Sequence, residues 1–162
     1  MKIVHFHPVS DFLEQANKIF KEQKVRIAQL LPYADIQHIG STSIPNSLTK
    51  GDLDVVVRIP SSEFKHSIEE LKFIYDINQP KNWSNTFASF KDDKKLGIDF
   101  GAQVVVKDTK SDDFTKLRDI LLSNPDLVEE FNIIKEKYEG KSMDEYRKEK
   151  ADFFQRLREK FL

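Results

Sequence analysis

Two aspartates, Asp52 and Asp54, stand two residues apart at the head of the apolar run LDVVVRI, and ten residues separate them from the dipeptide Gly40-Ser41. In an extended strand, side chains at i and i+2 share a face, so both carboxylates project together while Leu53 and Val55 point the other way. Two carboxylates so placed repel each other unless a cation lies between them. Hard divalent ions such as Mg²⁺ take oxygen ligands, commonly one or two carboxylates plus substrate phosphate oxygens, and Mn²⁺ accepts the same donors. That is the chemistry of phosphoryl or nucleotidyl transfer, in which the metal neutralises the transferring group and positions the attacking oxygen. Gly40 allows backbone amides to approach a phosphate closely, and Ser41 adds a hydroxyl.

A third carboxylate, Asp99 in LGIDFGAQVVV, shares a strand face with Gly101 and Gln103. Next to the aspartate pair it would complete the metal site or act as general base. Lys50 is placed to approach a phosphate from the loop before the pair. Each of these has a plainer reading. A D-L-D triplet is often strand-entry polarity, a Gly-Ser dipeptide alone says little, and Lys50 serves equally as a solvated loop lysine. His38, ahead of the Gly-Ser turn, is either a substrate contact or a hydrogen-bonding strand residue. His5 and His7 have the spacing of one strand side, but a metal there would need further ligands. Trp83 in PKNWSN reads as a loop anchor rather than a base-stacking platform.

These residues need elements to carry them. Phe12, Leu13, Ala16, Ile19, Phe20, Ile27 and Leu30 recur at helical spacing, with Ser10 as the expected N-cap and Pro32 as the stop. DIQHIG reads as a short strand ending at Gly40, STSIPNSLTKG as a loop with one helical turn, and DLDVVVRI as a strand. A second amphipathic helix runs through Phe64, Ile68 and Leu71, capped by Ser61 or Ser62. TFASFKDDKKLGIDFGAQVVVK predicts an antiparallel hairpin turning at residues 91 to 95. Beyond it the pattern is helical, near 112 to 123, 126 to 138 and 142 to 161, with starts at Pro125-Asp126 and Ser142. The fold class is therefore α+β in front and helical behind.

The whole composition sets limits. At 162 residues one domain is expected, and 26 Lys and Arg against 27 Asp and Glu give a net charge of −1. Such a balance argues against long nucleic acid and for a small molecule or a protein hydroxyl as partner. With no cysteine, thiolate metal sites and a Cys nucleophile are excluded. No stretch approaches the roughly 20 apolar residues of a membrane helix, no signal-peptide pattern opens the chain, and a cytoplasmic location fits. Oligomeric state leaves no trace in the pattern.

The run His38-Ile39-Gly40-Ser41-Thr42-Ser43-Ile44-Pro45, continued by Leu48 and Lys50, resembles the signature of the GrpB family, within the DNA polymerase beta-like nucleotidyltransferase superfamily. LRDILLSNPDL, through Arg118, Asp119, Leu121, Pro125 and Leu127, is similar to a second family segment. Lys135 and the set Tyr146, Lys150 and Phe153 are similar to two more. The resemblance implies a nucleotidyltransferase-like mixed sheet packed with helices over residues 1–108 and a helical tail over 109–162 packing on it. It also implies a phosphate site that includes Thr42, and substrate contacts at His38, Gln103, Arg118, Lys135, Tyr146 and Lys150. Gly51 replaces the family's Pro, and Gln103 stands where the family often has His. Asp54 is the family's usual single aspartate, so Asp52 is an addition that favours metal binding. The expectation is a metal-dependent nucleotidyltransferase using Mg²⁺ or Mn²⁺ and an NTP, with the acceptor open. The alternative is a non-catalytic nucleotide- or metabolite-binding module, with a coenzyme A context implied by fusions elsewhere in the family.

Overall fold

The structure is a computed structural model that describes residues 1–93 and 95–162. Lys94, within the expected hairpin turn, lies outside the described residues. Among the described residues seven strands are formed, β1 (His7–Pro8), β2 (Asp35–Ile39), β3 (Leu48–Thr49), β4 (Leu53–Ile59), β5 (Asp76–Ile77), β6 (Phe87–Asp93) and β7 (Asp99–Val106). The helices are α1 (Leu13–Leu30), α2 (Phe64–Leu71), α3 (Phe114–Ser123), α4 (Pro125–Tyr138) and α5 (Met143–Phe161).

A five-stranded mixed sheet runs in the order β2-β4-β7-β6-β5. Four of the seven residues of β4, Val55, Val56, Val57 and Ile59, are β-branched, which suits a central strand covered on both sides. It pairs antiparallel with β2 and parallel with β7, and the expected β6–β7 hairpin is antiparallel. Leu53, Val55, Val57 and Ile59 of β4 and Phe100, Ala102, Val104 and Val106 of β7 face a core shared with α1 and α2. Period-2 alternation then sends Asp54, Gly101 and Gln103 to the opposite face. A second apolar cluster joins Ile44 to α3, α4 and α5 and takes in Val4 and Phe6. The N-terminal residues reach it as a strap, with Val4 N donating to Lys141 O and Phe6 N to the Glu139 carboxylate.

Several boundaries differ from the sequence reading for tertiary reasons. Ser10 does not cap α1. It lies in a 3₁₀ turn, Val9–Asp11, because β1 pairs with β3 and Val9 N bonds Ser47 O, so the helix begins only at Leu13. Ser61 and Ser62 likewise occupy a 3₁₀ turn after Pro60, and Glu63 stands at the N-cap of α2 without a side-chain bond. Lys91 and Asp92 belong to β6 rather than to the turn, being paired with Gly101 and Phe100. β3 and β5, two residues each, were too short to show as patterns. Pro125 does start α4, and the Ser142 hydroxyl accepts from Glu145 N to cap α5. Trp83 is a loop anchor, donating to Asn78 O and tilting against Phe90.

One ion cluster holds the approach to α3 against the sheet. Arg58 on β4 donates from Nε and Nη2 to the two oxygens of Asp112, each at 2.8 Å, and from Nη1 to Asp35 of β2. Asp112 is only 4% exposed. Arg58→Met would leave that buried carboxylate with the Asp108 amide as its remaining partner, at a cost of about 2–3 kcal/mol. Urea denaturation at neutral pH reads this directly.

Candidate active site

The loop from β2 to β4 is organised by side-chain hydrogen bonds. Gly40 adopts φ 77, which its lack of a Cβ permits, and starts a 3₁₀ turn over Ser41–Ser43. The Thr42 hydroxyl donates to Asp52 O at 3.0 Å, so at its 2.8 Å contact with His38 Nε2 the ring must donate. Burial, with Arg118 adding to it, lowers the His38 pKa to about 4, which keeps the ring neutral. The Ser41 hydroxyl donates to Thr49 Oγ1, which also accepts from Gly51 N, and Ser47 donates to Ser41 O. His38 and Thr42 therefore brace the start of the loop against its end.

Asp54 occupies a gap between two glycines. It pairs across the sheet with Ile39 on one side and Gly101 on the other. A Cβ on Gly40 would fall 2.7 Å from Asp54 Oδ2, and one on Gly101 would fall 2.9 Å from Oδ1. Asp52 lies beside it, 3.2 Å from Lys50 Nζ. Burial, then the charge of Asp52, raises the Asp54 pKa from 3.8 to about 6, against the opposing pull of Lys150 and Lys50.

Helices α3 to α5 supply the facing wall. Lys135 of α4 is 2% exposed, and its Nζ donates to Leu48 O at 2.6 Å and stands 3.9 Å from the centre of the Phe131 ring. Burial, reinforced by Lys150 and Lys50, lowers its pKa to about 7. Burial and Lys50 also depress Lys150, while Asp54 and Asp52 oppose that shift. Burial raises the Tyr146 phenol, with Asp52 contributing. Arg118 of α3 donates to His38 O and pairs with Asp119.

These groups surround a cavity of about 480 Å³. Gly40, Ser41, Lys50, Asp52, Asp54, Gln103, Arg118, Lys135, Tyr146 and Lys150 line it, so ten residues singled out in the sequence meet at one place. Thr42, His38 and Asp99 do not line it. Thr42 is buried under the loop and His38 stacks on Phe20. Asp99 begins β7, paired with Asp93 of β6, and is not among the charges acting on Asp54. Among the described residues, no group of three His, Asp or Glu side chains could hold a metal ion. Thr49, Arg147 and Arg158 also line the cavity and were not anticipated.

The profile of the family described as GrpB protein matches residues 9–160. This chain belongs to the GrpB family. A UPF0157 protein of Vibrio cholerae serotype O1 is 31% identical over 95% of this chain and 81% of its own length. The crystal structure of the conserved protein GrpB from Enterococcus faecalis superposes with a TM-score of 0.73 at 19% identity, covering 93% of both chains. The Cid1 poly(U) polymerase, solved with MgGTP bound, superposes at 0.53 and 14% identity over 76% of this chain and 40% of that one. At these identities the structural likeness concerns the fold, a nucleotidyltransferase-like α+β arrangement in this GrpB member. Arg147 lies one residue past Tyr146 and Arg158 eight past Lys150, on the α5 that the motif already marked. Helical spacing along α5 was the available signal for both.

Two outcomes follow from the gap around Asp54. Gly101→Ala should destabilise the fold by about 1–3 kcal/mol, because its Cβ presses on the carboxylate, and the penalty should shrink in an Asp54→Ala background, as a double-mutant cycle on denaturation midpoints would read. A carboxyl with a raised folded-state pKa binds its proton more tightly when folded. The metal-free protein should therefore lose stability as pH rises from about 4 to about 6, and Asp54→Asn should remove that part of the pH dependence.

Proposed function

We propose that this GrpB member is a metal-dependent nucleotidyltransferase that moves a nucleotidyl group from an NTP to a small-molecule or protein hydroxyl. The observation that carries the reading is the pairing of Asp52 and Asp54 with a cationic wall across one cavity. Asp54 is poorly hydrated and pressed by a second carboxylate, a situation that a divalent cation relieves on both counts. The donor set fits an ion held by two carboxylates, with substrate phosphate oxygens supplying the remainder. Asp52 and Asp54 would hold Mg²⁺ or Mn²⁺, and the bound ion would offset charge on the transferring phosphoryl group and lower the pKa of a coordinated hydroxyl.

The remaining roles belong to the chain itself. Lys50, Lys150 and Lys135 hold phosphate oxygens, and Arg118 and Arg147 extend the same field along the cavity. The Ser41 hydroxyl and the Gly40 backbone border the phosphate side. Gln103, on the face of β7 beside Asp54, offers an amide for orienting substrate, as does the Tyr146 phenol from α5. Asp99, outside the cavity lining, has no direct part in this scheme. His38 and Thr42 position the loop.

A second reading, a nucleotide-binding module without turnover, is favoured by the ion pair between Lys50 and Asp52, which already satisfies one of the two carboxylates. Incubation with each of the four NTPs, Mg²⁺ and a panel of small-molecule and protein hydroxyl acceptors, followed by assay of pyrophosphate release, separates the two. For the enzyme, Asp52→Asn or Asp54→Asn should lower the rate on the order of 100-fold or more, while Lys150→Met should chiefly weaken NTP binding. Stabilisation of the fold by an NTP, insensitive to chelation and with no pyrophosphate formed, would establish the module instead.

A further inference from the structure

Four members of the tail-helix cluster keep some surface, whereas the centre of the sheet core keeps none. Under the sheet, Leu53, Val55, Val57, Ala102 and Val104 are all 0% exposed. Among the tail helices, Leu117, Leu121, Val128 and Phe131 keep 5%, 6%, 8% and 7% of their surface. All four line the cavity that holds the aspartates and lysines. The cavity lining is therefore of two kinds, with ionic side chains from the β2–β4 loop and from α3, α4 and α5 interleaved with apolar ones from the same segments.

The ionic lining is unbalanced. Among the described residues, six cationic side chains line the cavity against the two carboxylates Asp52 and Asp54. Arg118 is answered by Asp119, Arg158 by Asp113 and Lys50 by Asp52. By count, Lys135, Arg147 and Lys150 are then left with Asp54 alone in the lining, so an anion is the missing component. Lys135 feels the charges of Lys150 and Lys50, and Lys150 those of Lys50 and Arg147, and an anion among them would relieve that repulsion.

We propose that an NTP is not the sole ligand of this cavity and that its lysines also take an organic phosphate with an apolar body the size of an aromatic ring or a branched acyl group, its head among Lys50, Lys135 and Lys150 and its body, unlike the ribose of an NTP, among Leu117, Leu121, Val128 and Phe131. A sugar or peptide body would bury hydroxyls or amides against Leu, Val and Phe, where desolvation without hydrogen bonds is costly. An apolar body gains from the same surface. The volume of about 480 Å³ lies within the range of small-molecule sites. The inference rests on reading the lysine side as a phosphate site, and it requires neither a metal nor turnover.

Calorimetric titration of the full chain with three probes tests it, namely phenyl phosphate, glycerol 3-phosphate and pyrophosphate. Phenyl phosphate should bind at least about tenfold more tightly than glycerol 3-phosphate. Leu121→Gln should erase that preference while leaving pyrophosphate binding in place. Val128→Thr, close in shape to the native side chain, keeps the comparison available if Leu121→Gln does not fold, and should narrow the preference severalfold. Pyrophosphate binding with equal affinities for the two organic phosphates would overturn the apolar body and spare the phosphate site. No binding by any of the three would remove both.

Discussion

Asp54 is held where a carboxylate is least comfortable, with strands on both sides, a glycine on each flank and a second aspartate close by. A side chain of this size fits between β2 and β7 only because Gly40 and Gly101 carry no Cβ to occupy the space of its oxygens. The crowding that admits the carboxylate also strips its water, and that loss is the main cause of its raised pKa. Much of the surrounding architecture answers this constraint. The His38–Thr42–Asp52 chain secures the loop that carries Gly40 and Asp52, and Lys50 compensates Asp52. Lys150 approaches from a helix nearly a hundred residues further along the chain.

The tail supplies charge from a scaffold of apolar contacts. Lys135 can remain buried because its ammonium has the Leu48 carbonyl and the face of Phe131, which offset part of its desolvation. Its helix is held by Phe131 stacking on Phe153 and by Asn132, whose amide bonds Leu48 N and Asn46 O. These contacts join α4 directly to the loop that precedes Asp52. Arg58 secures the start of α3 in a similar way, from the sheet side. Loop and tail are thus parts of one assembly, and a shift of α4 would carry the loop with it.

Much of this could be read in advance where the pattern was local. The i, i+2 rule placed Asp52 with Asp54, and Asp99 with Gly101 and Gln103, each set on one strand face, and helical spacing identified α3, α4 and α5 to within about two residues. The β6–β7 hairpin followed from two apolar runs joined by a short charged link. What escaped depended on distant partners. Ser10 and Ser61 have the chemistry of caps, but β1–β3 pairing and Pro60 place them in 3₁₀ turns. The register that sets Gly101, rather than Asp99, beside Asp54 comes from the parallel β4–β7 pairing, which no local spacing encodes. The role of His38 turned on the Thr42 proton, and hence on where the loop's far end lay. The strap through Val4 and Phe6 was equally invisible, since its partners are at Glu139 and Lys141.

The electrostatics of the cavity make its charge depend on what enters. Asp54 has a pKa of about 6 and Lys135 one of about 7, so both stand close to changing state near neutrality. A cation near Asp54 favours the ionised carboxylate and expels a proton, whereas an anion near Lys135 favours the ammonium and draws one in. Either ligand alone must therefore exchange a proton with solvent wherever its group is incompletely ionised, at a cost that grows as pH moves against it. At fixed pH these two costs are independent of each other, so what would couple a cation and a phosphate is their direct attraction across the cavity. Opposite charges on opposite walls of a poorly hydrated cavity would strengthen that attraction, and joint occupancy would then exceed what either ligand achieves alone.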